Sequence, residues 1–168
     1  IATTFADEGA AVAIADVEEA IGEGVADAIR GRGGRALFVK ADLREEGDIR
    51  AMVETTVKAV GRLDVLINNA MTGISKNYFH KTDPSQFLSG FQQNILPTIQ
   101  LTQEAIKVFR KKKSGKIITI LSSAILNKPP IGWSAYVAGK AYLHSLSKSW
   151  ATENIAFGIS SNCISPSF

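Results

Sequence analysis

The stretch Lys116 to Lys140, KIITILSSAILNKPPIGWSAYVAGK, runs from an apolar segment through a serine pair and a stiff proline-rich turn into the start of a helix. The apolar run Lys116 to Leu121 reads as a strand. Ser123 then stands at its carboxyl end, where open α/β sheets place their ligands. If the segment from about Ser134 to Glu153 is helical, Tyr136 and Lys140 fall at i and i+4 and project from one face. A phenol titrates at about 10 in water, and an ammonium a few ångströms away favours its phenolate form, so such a pair reads as a proton donor and acceptor. A serine hydroxyl beside it can hold a carbonyl or alcohol oxygen while the phenol exchanges its proton. An amphipathic helix that merely opens on a tyrosine has the same spacing, so the rest of the chain has to discriminate.

Outward from that stretch, apolar runs alternate with helical patterns. Ile1 to Glu8 reads as the end of a helix closed by Gly9, and Ala11 to Ala15 (AVAIA) as a strand ending at Asp16. A helix follows from about Val17 to Arg30, broken by Gly31, Gly33 and Gly34, then a strand over Ala36 to Val39. Asp42 opens a helix to about Val60 with Gly61 as its stop, and Asp64 to Ile67 continues the β pattern. A polar loop, Asn68 to Thr82, leads through Asp83-Pro84 into a long helix reaching Lys112. Pro97 lies inside that helix, where it removes a donor and crowds the preceding turn, so a bend that frees the backbone near Asn94 is expected. Gly115 begins the strand before Ser123, and Gly158 to Ile164 is the last strand. The alternation predicts an α/β fold, a Rossmann-like doubly wound parallel sheet with helices on both faces, as a single domain over residues 1–168.

In such a fold, an aspartate ending the strand after the first helix can accept hydrogen bonds from the adenosine ribose hydroxyls, and its charge repels a 2′-phosphate. Asp16 holds that position and favours NAD over NADP, although it is equally placed to cap the helix from Val17. The two jobs are compatible.

Three further features accompany the Y-x-x-x-K pair: the serine pair thirteen residues before the tyrosine, the strand-ending Asn68-Asn69-Ala70, and Asn94 within the intervening helix. Together they resemble the short-chain dehydrogenase/reductase family of NAD(P)-dependent oxidoreductases, including its 3-oxoacyl thioester reductases. The resemblance covers essentially the whole chain. It implies a catalytic tetrad of Asn94, Ser123, Tyr136 and Lys140. By that match the tyrosine is the general acid/base, the serine orients the substrate oxygen, and the lysine supports the tyrosine and holds the nicotinamide ribose. The asparagine keeps a water in the proton relay. The match also implies that Asp42 and Leu43 receive the adenine ring, that Asn69 and Ala70 flank the adenosine, and that Pro166 lies by the nicotinamide carboxamide. Asp42 is also a candidate N-cap, and Asn69 can serve only to tie down its strand end. The implied reaction moves a hydride between NAD, with NADP possible, and a small-molecule ketone or secondary alcohol. The implied assembly is a homodimer or homotetramer through the helices carrying Asn94 and Tyr136. No metal is expected.

The chain departs from the family pattern at several points. Met71 and Leu126 replace glycines near the expected mouth of the site, and Ser167 replaces the glycine after Pro166. The glycine-rich turn that holds the pyrophosphate, and the central strand before it, precede the point where this chain begins. The sequence therefore reads as an internal part of a longer protein of about one and a half times this length. Its missing strand would lie between the strands at Ala11 to Ala15 and Asp64 to Ile67. A substrate pocket built from Met71, Thr72, Ile74, Ile125, Leu126, Trp133 and Phe168 is expected to be mostly apolar.

Composition is ordinary for a globular chain of 168 residues, at 45% hydrophobic and 21% charged. No run approaches the roughly 20 apolar residues that span a bilayer, and the start lacks the layout of a signal peptide, so a cytoplasmic protein without membrane partners is expected. Cys163, the one cysteine, reads as a buried thiol in a reducing compartment. The net charge of +3 draws on Arg110 to Lys113 (RKKK), which suits a helix C-terminus and lacks interleaved aromatics, so no nucleic-acid partner is expected. A serine hydrolase built on Ser123 with His80 or His144 would need a G-x-S-x-G elbow that is absent. The remaining alternative is a truncated, non-catalytic relative that acts only through subunit association.

Overall fold

The computed structural model describes residues 1–73 and 76–167, in two compact units, residues 1–63 and 64–168.

In the first unit, α1 (Ala2–Asp7) leads into β1 (Ala11–Asp16), α2 (Glu19–Gly31), β2 (Arg35–Lys40) and α3 (Glu46–Val60). The two strands pair in parallel, with Ile14 opposite Phe38 and Asp16 opposite Lys40. The buried residues of α2, Gly22, Ala26 and Ile29, follow the i, i+4, i+7 rhythm of a single helical face. Gly22 makes room for the Phe38 ring, since a methyl group there would lie 2.1 Å from it and the ring would have to move. α3 buries Ile49, Met52 and Val53 and stops at Gly61, whose φ of +82° is the left-handed cap that suits glycine. Its start differs from expectation. Asp42 does not cap the helix: its carboxylate takes the backbone amide of Arg44 at 2.9 Å and closes a local turn, while the Asp42 amide donates to Asp48 at 2.9 Å. The helix begins at Glu46 because the chain turns once more before committing.

In the second unit, β3 (Val65–Asn68), α4 (Ser85–Gly90), α5 (Leu96–Lys112), β4 (Gly115–Ile120), α6 (Ser134–Asn154) and β5 (Ile159–Ile164) follow in order. The strands pair in parallel in the order β3-β4-β5, with Asn68 opposite Thr119 and Thr119 opposite Cys163. One face of β4 is buried through Gly115, Ile117 and Thr119. That face meets α5, where a methyl group at Gly115 would lie 2.2 Å from Phe109 and Asn68 donates to Thr102 Oγ1 at 3.0 Å. On β5 the same register brings Ser161 within 2.7 Å of Ser147 on α6. Among the described residues β1 pairs only with β2, and β3 only with β4. Parallel strands with helices on both sides are the Rossmann-like arrangement expected from the alternation.

The expected break before Pro97 takes a definite form. Phe91–Ile95 is a turn of π-helix between α4 and α5, and Pro97 occupies the first turn of α5, where its missing N–H costs nothing. The basic run at the end of α5 has structural uses: Arg110 donates to Asn154 at 2.8 Å and covers the Phe157 ring at 4.4 Å, and Lys112 pairs with Asp64. No helix among the described residues is long and apolar enough to cross a membrane.

Candidate active site

Ser123 follows the carboxyl end of β4, the middle strand of its sheet, and Tyr136 and Lys140 lie one turn apart on α6, with Lys140 bonded to the last carbonyl of that strand. Leu121 extends the pairing beyond β4 by donating to Ile164 at 2.8 Å. Ser123 then starts a short 3-10 turn, Ser123–Ile125, that Ser122 caps by accepting the Ala124 amide at 3.2 Å. The Ser123 backbone is held from both sides: its amide donates to Pro166 O at 2.9 Å, and its carbonyl accepts from Leu126 and Asn127, each at 2.9 Å. A serine anchored in this way presents its hydroxyl from a fixed backbone.

Tyr136 is the third residue of α6, and Lys140 lies one turn further on. The first turn of a helix carries the positive end of its dipole, which favours negative charge on an oxygen placed there. Trp133 precedes α6 and meets the Tyr136 ring edge to face, with ring centroids 5.2 Å apart. The Lys140 ammonium lies 5.9 Å from the Tyr136 ring centroid and donates to Ile120 O, the last carbonyl of β4, at 2.6 Å. Lys140 is 7% exposed, and burial pushes its amine below the ordinary lysine value because the charged form loses hydration. An ammonium has three donors, so the bond to Ile120 leaves two for groups brought to the site.

Asn94 sits in the π turn. Its side-chain oxygen accepts from the Thr72 amide at 2.7 Å and from the Thr72 hydroxyl at 3.3 Å, and its amide donates to Gly90 O at 3.3 Å. Its carbonyl accepts from Thr98 Oγ1 at 2.8 Å. The side chain thus ties the loop after β3 to the helix, while the turn itself packs on α6, where a methyl group at Gly139 would lie 3.2 Å from Ile95. Glycine next to Lys140 leaves room there for the end of the Ile95 side chain.

A family model described as short chain dehydrogenase matches residues 1–168. The chain belongs to the short-chain dehydrogenase family. Similar proteins include L-fucose dehydrogenase of Oryctolagus cuniculus, 32% identical over 166 residues, covering 99% of this chain and 56% of that protein. Among solved structures, 3-ketoacyl-(acyl-carrier-protein) reductase from Brucella melitensis complexed with NADH is 29% identical at a TM-score of 0.90, covering 99% of this chain and 68% of that one. NAD+-bound xylitol dehydrogenase, at 23% identity and a TM-score of 0.93, covers 99% of this chain and 64% of that one and shares the fold. The chain spans 56% to 64% of the length of the curated relatives it matches.

The other residues expected at a short-chain dehydrogenase cofactor site are placed within their own units. Asp16 ends β1 with an exposed carboxylate that accepts the Glu18 amide at 3.0 Å. Asp42 is paired with Arg44, whose side chain and then amide hold its carboxyl at about 2, and Leu43 beside it is half-buried. Asn69 and Ala70 are exposed just after β3, and Pro166 is exposed with its carbonyl on Ser123. Of the expected pocket residues, Met71, Ile125 and Trp133 are half-buried, while Thr72 and Leu126 are exposed. Ile74 and Phe168 lie outside the described residues.

One contact escaped the sequence reading. The Lys76 ammonium lies 5.5 Å from the Trp133 ring centroid, because the Asn77 amide donates to Gly132 O at 3.2 Å and seats this part of the loop on the turn before α6. Gly132, with φ of +83° and a would-be Cβ 3.2 Å from the Asn77 nitrogen, is the residue that permits the crossing. A Pro-Ile-Gly turn one residue before a tryptophan was the available signal, but nothing local names its partner.

Proposed function

We propose that this protein is a nicotinamide-dependent oxidoreductase that interconverts a secondary alcohol and a ketone, with NAD preferred over NADP. The observation that carries the reading is the buried Lys140 ammonium, held on Ile120 O one helical turn below the Tyr136 phenol at the end of β4. Bound nicotinamide dinucleotide supplies the hydride donor or acceptor. Everything else in the reaction falls to the protein.

Tyr136 gives its proton to the carbonyl oxygen during reduction and takes it from the alcohol during oxidation. Lys140 and the amino-terminal dipole of α6 stabilise the negative phenol oxygen that results. The Ser123 hydroxyl holds the same substrate oxygen, oriented by the three backbone bonds that fix its residue. The two remaining Lys140 donors suit the hydroxyls of the nicotinamide ribose, so the donor set fits the cofactor. Asn94, on a π turn against α6, keeps a water in line with Lys140 to return protons to solvent. In the first unit the exposed Asp16 carboxylate accepts the ribose hydroxyls at the adenosine end and disfavours a 2′-phosphate, and Asp42 and Leu43 serve the adenine; in the second unit Asn69 and Ala70 serve the adenosine and Pro166 the nicotinamide end. The relatives, which include an L-fucose dehydrogenase and a 3-ketoacyl-(acyl-carrier-protein) reductase complexed with NADH, support the reaction class.

The test is Tyr136→Phe in the protein as its source organism produces it. Turnover of a ketone or secondary alcohol falls by about 10²- to 10⁴-fold, the scale of a lost general acid, while NADH affinity stays close to wild type. Retained turnover would remove Tyr136 from the chemistry.

A further inference from the structure

From the placement of Lys76 we infer that the substrate is an anion, a hydroxy or oxo compound whose carboxylate or phosphate is held by the Lys76 ammonium. This rests on the oxidoreductase reading above and adds a substrate class to it. The geometry is a relay of fixed parts. Lys76 lies 5.5 Å from the centre of the Trp133 indole, and the same indole meets the Tyr136 ring at 5.2 Å and an interplanar angle of 80°. The lysine is carried there by backbone: Asn77 donates its amide to Gly132 O at 3.2 Å and its side-chain amide to Gln86 on α4 at 3.2 Å. One aromatic ring therefore separates a positive charge from the phenol, and two independent hydrogen bonds hold the segment that bears it.

An indole face offsets only part of an ammonium's charge, and the three N–H donors of the ammonium are best matched by the oxygens of an anion. The surrounding sequence does not supply one. Residues 65–82 and 121–152, which hold Ser123, Tyr136 and Lys140 together with the loop at Lys76, contain no aspartate or glutamate, yet they carry Lys76, Lys81, Lys128, Lys140 and Lys148. Asp83, just beyond, has its carboxylate on the Ser85 amide at 2.8 Å. Of these lysines, the exposed Lys76 is the one the structure places beside Trp133, and a cation with no carboxylate in its own stretch of chain attracts anionic substrates.

Two readouts test the inference. The first uses Trp133 as reporter in a Trp150→Phe background, titrated with 3-hydroxybutyrate, with its methyl ester and with inorganic phosphate. Saturable change in emission with an anion but not with the ester is expected. It should be lost in Lys76→Met and kept in Lys76→Arg. Saturation by 3-hydroxybutyrate alone assigns a carboxylate, and saturation by phosphate alone assigns a phosphate. If Trp150→Phe does not fold, the difference between wild type and Lys76→Met is read instead. No anion response in the wild type overturns the inference.

The second readout is the ratio of kcat/KM for a hydroxy acid to that for its methyl ester, which should fall about fivefold in Lys76→Met, the scale of one exposed charge contact. An unchanged ratio overturns the inference while leaving the oxidoreductase reading intact, and so does weakened NADH binding with the ratio unchanged, since the lysine then serves the dinucleotide. Absence of NAD(H)-linked turnover of any alcohol or ketone by the wild type instead overturns the oxidoreductase reading, and the fluorescence titration still decides Lys76.

Discussion

Replacing Gly132 by alanine tests whether the Lys76–Asn77 segment is held where it lies by one glycine. The residue has φ of +83°, and an alanine methyl group would lie 3.2 Å from the Asn77 nitrogen and 3.3 Å from the Lys76 carbonyl carbon. The left-handed backbone alone costs a non-glycine residue about 1–2 kcal/mol. Holding the segment down are the Asn77–Gly132 and Asn77–Gln86 hydrogen bonds, about 1 kcal/mol net each, and the ammonium–indole contact, about 0.5–1 kcal/mol for an exposed pair. The left-handed cost falls on the turn whether or not the segment is docked, whereas the methyl contacts exist only in the docked form, so the segment is expected to lift, because backbone atoms on both sides cannot retreat by changing rotamer. A loss of about 1.4 kcal/mol lowers the ratio of docked to undocked segment about tenfold. Amide hydrogen exchange reads this directly: the Asn77 amide should exchange about tenfold faster in Gly132→Ala, while the amides of Ile117 and Thr119 on β4 change far less. Unchanged Asn77 protection accompanied by faster exchange in β4 would refute the reasoning, since it would mean that the turn yields and something else holds the loop.

Three other outcomes follow from the charged groups. Burial lowers the Lys140 amine from 10.5, so the unfolded chain binds that proton more tightly and native stability rises with pH between the lowered folded value and about 10.5; Lys140→Met should flatten that segment in denaturant melts, and an unaltered slope would remove the burial argument. Asp16→Ala should relax a preference for NADH over NADPH in binding titrations, and a wild type that already prefers NADPH contradicts the assignment of Asp16. Asp42 titrates at about 2 because Arg44 donates to it through side chain and backbone, so its contribution to stability is present above the usual carboxylate value of 3.8 and is lost as pH falls through about 2. Arg44→Gln should move Asp42 up toward 3.8 in carboxyl carbon NMR, and no movement would mean that the pair does not persist in solution.

Strands and most helices were legible because short apolar runs punctuated by glycine have few alternatives: β4, α6 and the stop of α3 at Gly61 lie within a residue or so of where the pattern puts them. The positions of Ser123 after β4 and of Tyr136 and Lys140 one turn apart on α6 were legible for a related reason, since a strand end and an i, i+4 spacing carry geometry on their own. The start of α3 was not, because an aspartate that can cap a helix can equally close a turn, and only the neighbouring Arg44 and Asp48 decide between them at Asp42. The engagement of Asn94 with Thr72 and of Lys76 with Trp133 depends on loops meeting across sequence, which no local period encodes.

The π turn at Phe91–Ile95 has a consequence for how this site can change. Such a turn holds one residue more than the α-helix around it needs, and one residue of α-helix is about 100° of rotation. α4 and α5 are therefore out of phase: Phe91 packs edge-on against Tyr142 of α6, with centroids 5.4 Å apart, while Asn94 faces the loop at Thr72. Deleting a single residue between Phe91 and Ile95 would restore one continuous α-helical phase and swing one of these two contacts away. Variation in chain length at this point therefore acts on the site by re-aiming Asn94 or Phe91 rather than by replacing either side chain.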